Sequence, residues 1–186
     1  FTTNAGVNWT TSNVGTTSTL YDSKWINATT GYLCGSSGCF RYTTNGGANW
    51  QGTNPPTTGT MQRILVSGST IYVGGFDQIN IYSTTDNGST WNTIPFAASG
   101  QYSTFNIYSM DIVGSTILVG GTYGLMNKST NAGANWVTAT SHTTVANMVD
   151  VYASSGNGRV IAIGSNTGGL DACVYSTNGG TTWSRG

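Results

Sequence analysis

The sequence predicts an all-β protein built from repeated four-stranded antiparallel sheets, and three observations lead to this class. A Trp-containing octapeptide returns five times along 186 residues. Short apolar runs lie between its copies, separated by turns rich in Gly, Asn and Ser, which is typical of strands in a meander. No segment keeps a helical period of 3.6 residues, and 27 glycines disfavour long helices.

The octapeptide has the pattern Ser or Thr, any residue, Asn or Asp, any residue, Gly, two further residues and Trp. Its copies end at Trp9, Trp50, Trp91, Trp136 and Trp183, at spacings of 41, 41, 45 and 47 residues. One four-stranded blade of a β-propeller has about this length. The sequence therefore predicts a propeller.

The spacing divides the chain into four complete blades and one half blade. We expect complete blades at 10–50, 51–91, 92–136 and 137–183, and only the closing hairpin of another blade at 1–9. Because a propeller hides its sheet edges only when every blade is complete, the sequence favours a segment of a larger propeller or array.

Each octapeptide is expected to pin a turn between the third and fourth strands of a blade. Its Asn or Asp side chain should accept from backbone N–H groups two residues on, its Gly should supply a positive φ, and its Trp should be largely buried. The residues concerned are Asn4, Gly6, Trp9, Asn45, Gly47, Trp50, Asp86, Gly88, Trp91, Asn131, Gly133, Trp136, Asn178, Gly180 and Trp183.

The octapeptide resembles the Asp-box, or BNR repeat, of sialidases, sortilin-type receptors, xyloglucan-cleaving hydrolases and photosystem II assembly-factor propellers. The longer string GYLCGSSGCFRYTTNGGANW is most similar to the last group. The resemblance covers nearly the whole chain and implies a β-propeller. It does not imply an activity, because the box in these families is a structural staple placed away from the catalytic centre.

Four residues fall at the same place in the aligned first strands of the blades, the strands that would line the central channel: Asp22, Arg63, Asp111 and Asp150. Acids and an arginine that converge on an axis are able to bind a polar ligand or perform acid/base chemistry. The resemblance to assembly-factor propellers favours a structural role instead, with each carboxylate accepting hydrogen bonds from backbone or from a neighbouring blade.

The residues needed for catalysis are largely missing. Sialidase chemistry needs three arginines and a Glu-activated Tyr, and the chain has no Glu. A two-aspartate glycosidase stays possible through Asp77 and Asp171, although solvated loop acids are the simpler interpretation. His142 is the single histidine, so no His-containing metal site or catalytic triad is predicted. We predict no cofactor.

Aromatic residues in the loops opposite the boxes form a candidate binding surface. Phe76, Tyr123, Tyr102 and Phe105 lie there, and Asp77 and Asp171 are in the same group of loops. Such residues suit contacts with sugars or proteins. The alternative is that these aromatics fold back onto the blades.

The cysteines leave two possibilities open. Cys34 and Cys39 flank a four-residue turn and either form a disulfide across a hairpin or remain two buried thiols. Cys173 is expected to be a small buried residue.

Charge is scarce, since six Lys and Arg balance six Asp and Glu and only 6% of residues are charged. This excludes a basic surface for nucleic acid and argues against photosystem assembly, and no apolar run would span a membrane. The uncharged polar surface, the few charges and a Cys34–Cys39 disulfide favour an extracellular location. Four glycosylation sequons occur, but several are expected by chance in a chain so rich in Asn, Ser and Thr. We therefore predict a non-catalytic extracellular or cell-surface module for adhesion, protein binding or self-assembly, with a glycan-binding or glycan-cleaving propeller as the alternative.

Overall fold

The structure is a computed structural model that describes residues 2, 4–76, 80–95, 105–138, 147–165 and 173–185. Its strands are β1 Leu20–Trp25, β2 Gly31–Gly35, β3 Phe40–Thr43, β4 Thr60–Ser67, β5 Thr70–Phe76, β6 Asn80–Thr84, β7 Asn92–Pro95, β8 Ile107–Val113, β9 Thr116–Gly121, β10 Met126–Ser129, β11 Val137–Thr138, β12 Met148–Ala153, β13 Val160–Gly164, β14 Cys173–Ser176 and β15 Ser184–Arg185. The described helical structure is a single 3₁₀ turn at Thr122–Gly124. No helix in the described part of the chain is long and apolar enough to cross a membrane.

The strands form four antiparallel sheets, each from consecutive strands, which confirms the all-β propeller prediction. We call them blade 1 (β1–β3), blade 2 (β4–β7), blade 3 (β8–β11) and blade 4 (β12–β15). Blade 1 has three strands, and its fourth is reduced to a bridge between Tyr42 and Gln51. The described residues before β1 contain no strand, so the expected hairpin at 1–9 contributes only a turn.

The core consists of three apolar layers, each between two adjacent blades. Blades 1 and 2 bury a cluster that includes Phe40, Met61 and Val73. The cluster between blades 2 and 3 contains Leu65 and Ile117, and Val151 belongs to the cluster between blades 3 and 4. Because both faces of a middle blade are covered, its strands are apolar on both sides rather than alternating.

The two ends of the blades differ. At one end, which we call the loop face, the residue after the second strand of blades 1, 3 and 4 donates its N–H to the carbonyl that precedes the first strand: Ser36 to Thr19 (2.9 Å), Thr122 to Asn106 (3.1 Å) and Ser165 to Asn147 (2.9 Å). The Asp-boxes lie at the opposite end, as the Gly46 N–H to Thr29 carbonyl bond (2.8 Å) illustrates.

The five boxes share one hydrogen-bond pattern. In the second box, the Thr43 hydroxyl donates to Asn45 Oδ1 (2.9 Å) and accepts from the Gly47 N–H (3.0 Å). Asn45 Oδ1 also accepts from the N–H of Asn49, four residues on rather than two as expected (2.9 Å). The expected positive φ is present at the box glycines Gly6, Gly47, Gly88, Gly133 and Gly180.

Two boxes, those of Trp50 and Trp91, also fasten their blade to the chain that leaves the preceding blade. Trp91 Nε1 donates to the Thr53 carbonyl (2.9 Å), and the Trp91 ring meets Phe40 of blade 1 edge to face at 5.0 Å. Trp50 Nε1 donates in the same way to Ser12 Oγ (3.2 Å). These two boxes are therefore staples between blades as well as within a hairpin, whereas Trp183 Nε1 donates to the Gly180 carbonyl of its own box (3.2 Å).

The expected burial of the box tryptophans is correct only in part. Trp183 is buried, Trp50, Trp91 and Trp136 are half-buried, and Trp9 is 74% exposed. Burial depends on the blade against which the ring packs. The described chain gives Trp9 no such blade.

Asp86 is the one carboxylate among the box residues, and its hydrogen bonds hold its pKa at about 2, below the ordinary 3.8. The Asp86 carboxylate accepts hydrogen bonds from the Thr90 N–H (2.8 Å), the Thr90 hydroxyl (2.7 Å) and the Thr84 hydroxyl (2.7 Å). A depressed folded-state pKa stabilises the protein above the unfolded-state pKa, and this stabilisation is lost as the pH falls through the folded value.

We therefore expect the melting temperature of the wild type to fall more steeply than that of Asp86→Asn between about pH 4 and pH 2. Asn is compatible with the turn, since the other four boxes carry it. The reverse change Asn45→Asp is the matched control and should steepen the dependence. Parallel curves for the wild type and Asp86→Asn would contradict the assigned role.

The expected bridge between Cys34 and Cys39 is absent, and both are buried free thiols. Cys34 pairs with Phe40 in the ladder and belongs to the layer between blades 1 and 2. Cys39 directly precedes Phe40, so its side chain lies on the opposite face of the hairpin from Cys34. Its Sγ contacts Thr16 Oγ1 there at 3.7 Å. Cys173, expected to be buried, is exposed. Burial raises the pKa of the Cys34 thiol.

Candidate functional site: the channel mouth

The first strands of the four blades, β1, β4, β8 and β12, are inner strands that lie beside one another in order. Each contains one bulge near its start, and the residue after the bulge pairs with an equivalent position of the second strand. These pairs are Asp22 with Cys34, Arg63 with Gly74, Ser109 with Gly120 and Asp150 with Ile163. We call the first member of each pair the axial residue of its blade.

The placement of Asp111 at this position is therefore wrong, because Ser109 occupies it. Asp111 lies two residues after Ser109 and is equivalent to Leu65 of β4. Asp111 pairs with Leu118 of β9, and Leu65 pairs with Tyr72, which occupies the same position in β5. The correct alignment could have been read from the Gly-Ser-Thr sequence that follows the first strand in both blade 2 and blade 3. Counting five residues back from Gly68 gives Arg63, and the same count from Gly114 gives Ser109.

Two axial residues bond the next blade. Asp22 Oδ2 accepts from the Ile64 N–H of blade 2 (3.0 Å), and Ser109 Oγ accepts from the Val151 N–H of blade 4 (2.9 Å). Arg63 cannot accept, and its guanidinium donates to the Gln62 carbonyl (3.0 Å). Asp111 also crosses to blade 4, accepting from the Ala153 N–H (2.6 Å). These groups hold the blades together.

The bulges present a second set of residues at the loop-face end of the inner strands. The extra residues are Tyr21, Gln62, Tyr108 and Val149. Tyr21 is 47% exposed, whereas Tyr108 is half-buried under the edge of Phe76, with ring centroids 5.0 Å apart. The sequence does not predict either tyrosine at this position, because a bulge is visible only once the strand register is known.

Tyr123, in the turn after β9, lies at the same loop-face end, and we group it with the bulge residues and Phe76 as the channel mouth (Tyr21, Gln62, Phe76, Tyr108 and Tyr123). Its backbone has φ 57°, a left-handed conformation that is rare for a bulky residue. Its N–H donates to Asn147 Oδ1 (3.2 Å), and its side chain is 57% exposed. The structure therefore holds an aromatic ring out toward solvent in a fixed, strained turn.

The remaining candidates add no further described residue to the channel mouth. Phe105 is buried in the layer between blades 2 and 3, so its interpretation as a surface aromatic is wrong. Asp77, Tyr102, His142 and Asp171 lie outside the described residues. Among those that are described, no three His, Cys, Asp or Glu side chains come together as a metal site requires.

One family matches almost the whole chain. Its description is photosynthesis system II assembly factor YCF48, and the match spans residues 2–185. No curated protein matches. The family description contradicts the expected extracellular location, since it names an assembly factor rather than a secreted surface protein.

Solved propellers share the fold at low sequence identity. A structure of YCF48 bound to D1 peptide has 20% identity and a TM-score of 0.67, and the match covers 91% of this chain and 53% of that one. YCF48 from Cyanidioschyzon merolae gives 19% identity, a TM-score of 0.68, and coverage of 93% and 57%. The crystal structure of an ancestral GH74 enzyme has 20% identity and a TM-score of 0.73, and the match covers 95% of this chain and 25% of that one. This chain thus spans about half the length of the YCF48 structures.

Proposed function

We propose, since this chain belongs to the YCF48 family of photosynthesis system II assembly factors, that it is a non-catalytic propeller that binds a peptide segment of a partner protein. The observation that carries this proposal is the exposed and strained Tyr123 at the channel mouth. The YCF48 structure bound to D1 peptide supports a peptide as the ligand class.

The channel mouth has the properties of a peptide-binding surface. Tyr side chains offer a large apolar face and a polar tip while losing little conformational entropy, so they often carry the binding energy of an interface. The rigid blades below fix the positions of the loops that present them. Arg63, half-buried just below the mouth, supplies the one positive charge among the axial residues.

The near absence of charge does not oppose this function. The lack of a basic surface argues against binding an acidic partner, but the family match includes this chain at a net charge of zero. An interface of aromatic and uncharged polar groups has little dependence on ionic strength. Binding should therefore weaken only slightly when salt is raised.

Replacing Phe76 and Tyr123 together by Ala should lower the affinity for a D1 peptide at least tenfold without a comparable loss of melting temperature. Phe76 is half-buried and Tyr123 exposed, so their removal takes away contact area but little core. Binding is measured by isothermal titration calorimetry. The matched control is Tyr152→Ala, a tyrosine 66% exposed on blade 4 and away from the mouth.

Equal loss of binding in the double variant and in Tyr152→Ala would contradict a site at the mouth. The glycosidase alternative has a separate outcome. Turnover of a xyloglucan oligosaccharide that disappears in Asp77→Asn or Asp171→Asn would replace the binding function by hydrolysis.

A further inference from the structure

The chain contains four Asn-Gly pairs, the dipeptide in which an asparagine loses its side-chain ammonia most readily. In this reaction the backbone nitrogen of the glycine attacks the side-chain carbonyl carbon of the asparagine, and a glycine has no Cβ to obstruct the approach. The pairs are Asn45-Gly46, Asn87-Gly88, Asn157-Gly158 and Asn178-Gly179. The dipeptide alone makes them equivalent, so any difference between them comes from the fold.

Three of the pairs lie in Asp-boxes, where the glycine N–H that would have to attack is already a hydrogen-bond donor. The bonds are Gly46 to the Thr29 carbonyl (2.8 Å), Gly88 to Thr84 Oγ1 (2.8 Å) and Gly179 to the Gly158 carbonyl (2.7 Å). Attack requires this nitrogen to lose its proton and to turn toward the asparagine side chain. Each box must therefore open before the reaction can start.

The box asparagines are also fixed at their side chains. Asn45 Oδ1 accepts from the Asn49 N–H, and Asn178 Oδ1 from the Thr182 N–H (2.9 Å each). The Asn178 amide nitrogen, which would leave as ammonia, donates to Thr182 Oγ1 (2.8 Å). Both asparagines are exposed, as is Asn157, so exposure does not distinguish the pairs. What distinguishes them is whether the glycine N–H is bonded.

Asn157 and Gly158 lie outside the boxes, in the hairpin that joins β12 to β13, and both are exposed. The Gly158 N–H has no acceptor among the residues that the structure describes. Asn157 Oδ1 accepts from the Arg159 N–H (3.0 Å), which folds the side chain back over the Gly158 peptide group. The same donor stabilises the negative charge that this oxygen acquires when its carbon is attacked.

The hairpin is long enough to adopt the geometry of attack. Six residues, 154–159, separate its strands, whereas two residues separate the first and second strands in blade 2 (68–69) and in blade 3 (114–115). A Cβ built on Gly156 would have no heavy atom within 4 Å, so the tip of the hairpin stands in open space. The tip can therefore change conformation without displacing other atoms.

We propose that Asn157 is a site of spontaneous deamidation. The Gly158 nitrogen gives up its proton to hydroxide and attacks Asn157 Cγ, and the side-chain amide nitrogen takes up a proton and leaves as ammonia. This closes a succinimide ring. Water then opens the ring at either carbonyl and produces aspartate or isoaspartate. Both products add one negative charge to a chain whose formal net charge is zero.

The isoaspartate product has a structural consequence that the aspartate product lacks. It routes the backbone through the former side chain and adds a methylene between the Asn157 Cα and the Gly158 nitrogen. The Gly158 carbonyl accepts from the Gly179 N–H (2.7 Å), so this hairpin holds the last box. A longer backbone displaces that carbonyl. We therefore expect isoaspartate to loosen the contact between the hairpin and the box.

Tryptic peptide mapping tests the proposal, because the six Lys and Arg residues place each Asn-Gly pair in a different peptide. The peptides are 42–63, 64–128, 129–159 and 160–185. The folded 186-residue chain is incubated in mildly alkaline buffer, and mass spectrometry follows the conversion of amide to acid, with fragment spectra assigning the residue. Asn157 should convert at least about tenfold faster than each box asparagine, because only the boxes must open first.

Incubation in urea is the control for local sequence. All four rates should become similar there, because unfolding frees every glycine N–H. Equal rates for Asn157 and the box asparagines in the folded chain would overturn the proposal, as would an unchanged Asn157. The same preference for Asn157 in urea would overturn its structural cause.

Asn157→Ser is the matched variant, since a Ser hydroxyl also accepts from the N–H two residues on but has no amide to lose. After incubation, an isoaspartyl methyltransferase assay should detect isoaspartate in the wild type and at least about tenfold less in Asn157→Ser, because the boxes react slowly. The melting temperature should fall in the incubated wild type alone. Equal isoaspartate in the two proteins would place the reaction elsewhere and overturn the assignment.

Discussion

Replacing Gly75 by Ala is expected to lower the free energy of unfolding by about 3 kcal/mol or more, at the upper end for an overpacked core. A Cβ at this position would overlap the Thr60 carbonyl oxygen and lie 2.5 Å from the Gln62 backbone nitrogen. Both obstacles are backbone atoms of the inner strand at its bulge. No side-chain rotation relieves them, so β4 must move away from β5.

The same contact recurs in two other blades, which makes the effect a property of the blade. A Cβ on Gly35 would overlap the Thr19 carbonyl oxygen, and one on Gly121 the Asn106 carbonyl oxygen. These glycines let the second strand pass close to the residue that opens the first strand. We expect Gly35→Ala and Gly121→Ala to be destabilising in the same way.

Gly114→Ala is the control for Gly75→Ala. No heavy atom lies within 4 Å of a Cβ built on Gly114, and its φ of +61° is the only obstacle. A left-handed conformation should cost about 1 to 2 kcal/mol. Urea denaturation measures both variants. Equal losses would mean that β4 and β5 are not held at the spacing described.

Replacing Phe40 by Ala should cost about 3 to 5 kcal/mol of unfolding free energy. Phe40 is fully buried between blades 1 and 2, where its ring stacks on Tyr32 at 6.2 Å and meets Trp91 edge to face at 5.0 Å. The substitution removes the partner of a box tryptophan and leaves a cavity. It should therefore loosen the staple as well as the apolar layer.

Val137→Ala is a suitable comparison, since Val137 is 66% exposed and should change stability by no more than about 0.5 kcal/mol. Near-ultraviolet circular dichroism reports the Trp91 environment independently of stability. A loss below about 1 kcal/mol for Phe40→Ala would contradict the packing of blades 1 and 2 through this ring.

Local chemistry explains why the repeats predict the blades so well. Thr43, Asn45 and Gly47 form their turn through bonds to residues at most four positions away, so the turn depends on the octapeptide alone. The strands between boxes are short apolar runs bounded by turn residues, which is also a local signal. Structure that depends only on residues close together in the chain can be predicted from the sequence.

The candidate site was predicted only in part. Phe76 and Tyr123 were expected as binding residues from their positions near loops, and both are part of the channel mouth. Tyr21 and Tyr108 were not expected, because they belong to inner strands and reach the mouth only through bulges. A bulge adds one residue to one strand without changing composition or period in a visible way. The assignment of Asp111 failed for the same reason, because two residues of register separate it from Ser109.

The sequence by itself determined the repeat, the turn chemistry and the all-β propeller class, because these follow from residues close together in the chain. Only the tertiary structure decided which face each side chain occupies. Cys34 and Cys39 remain apart because strand alternation sends them to opposite sides of a hairpin, and Cys173 is exposed because no described blade covers blade 4. Burial depends on which sheet lies opposite, and that partner comes from residues about 40 positions away.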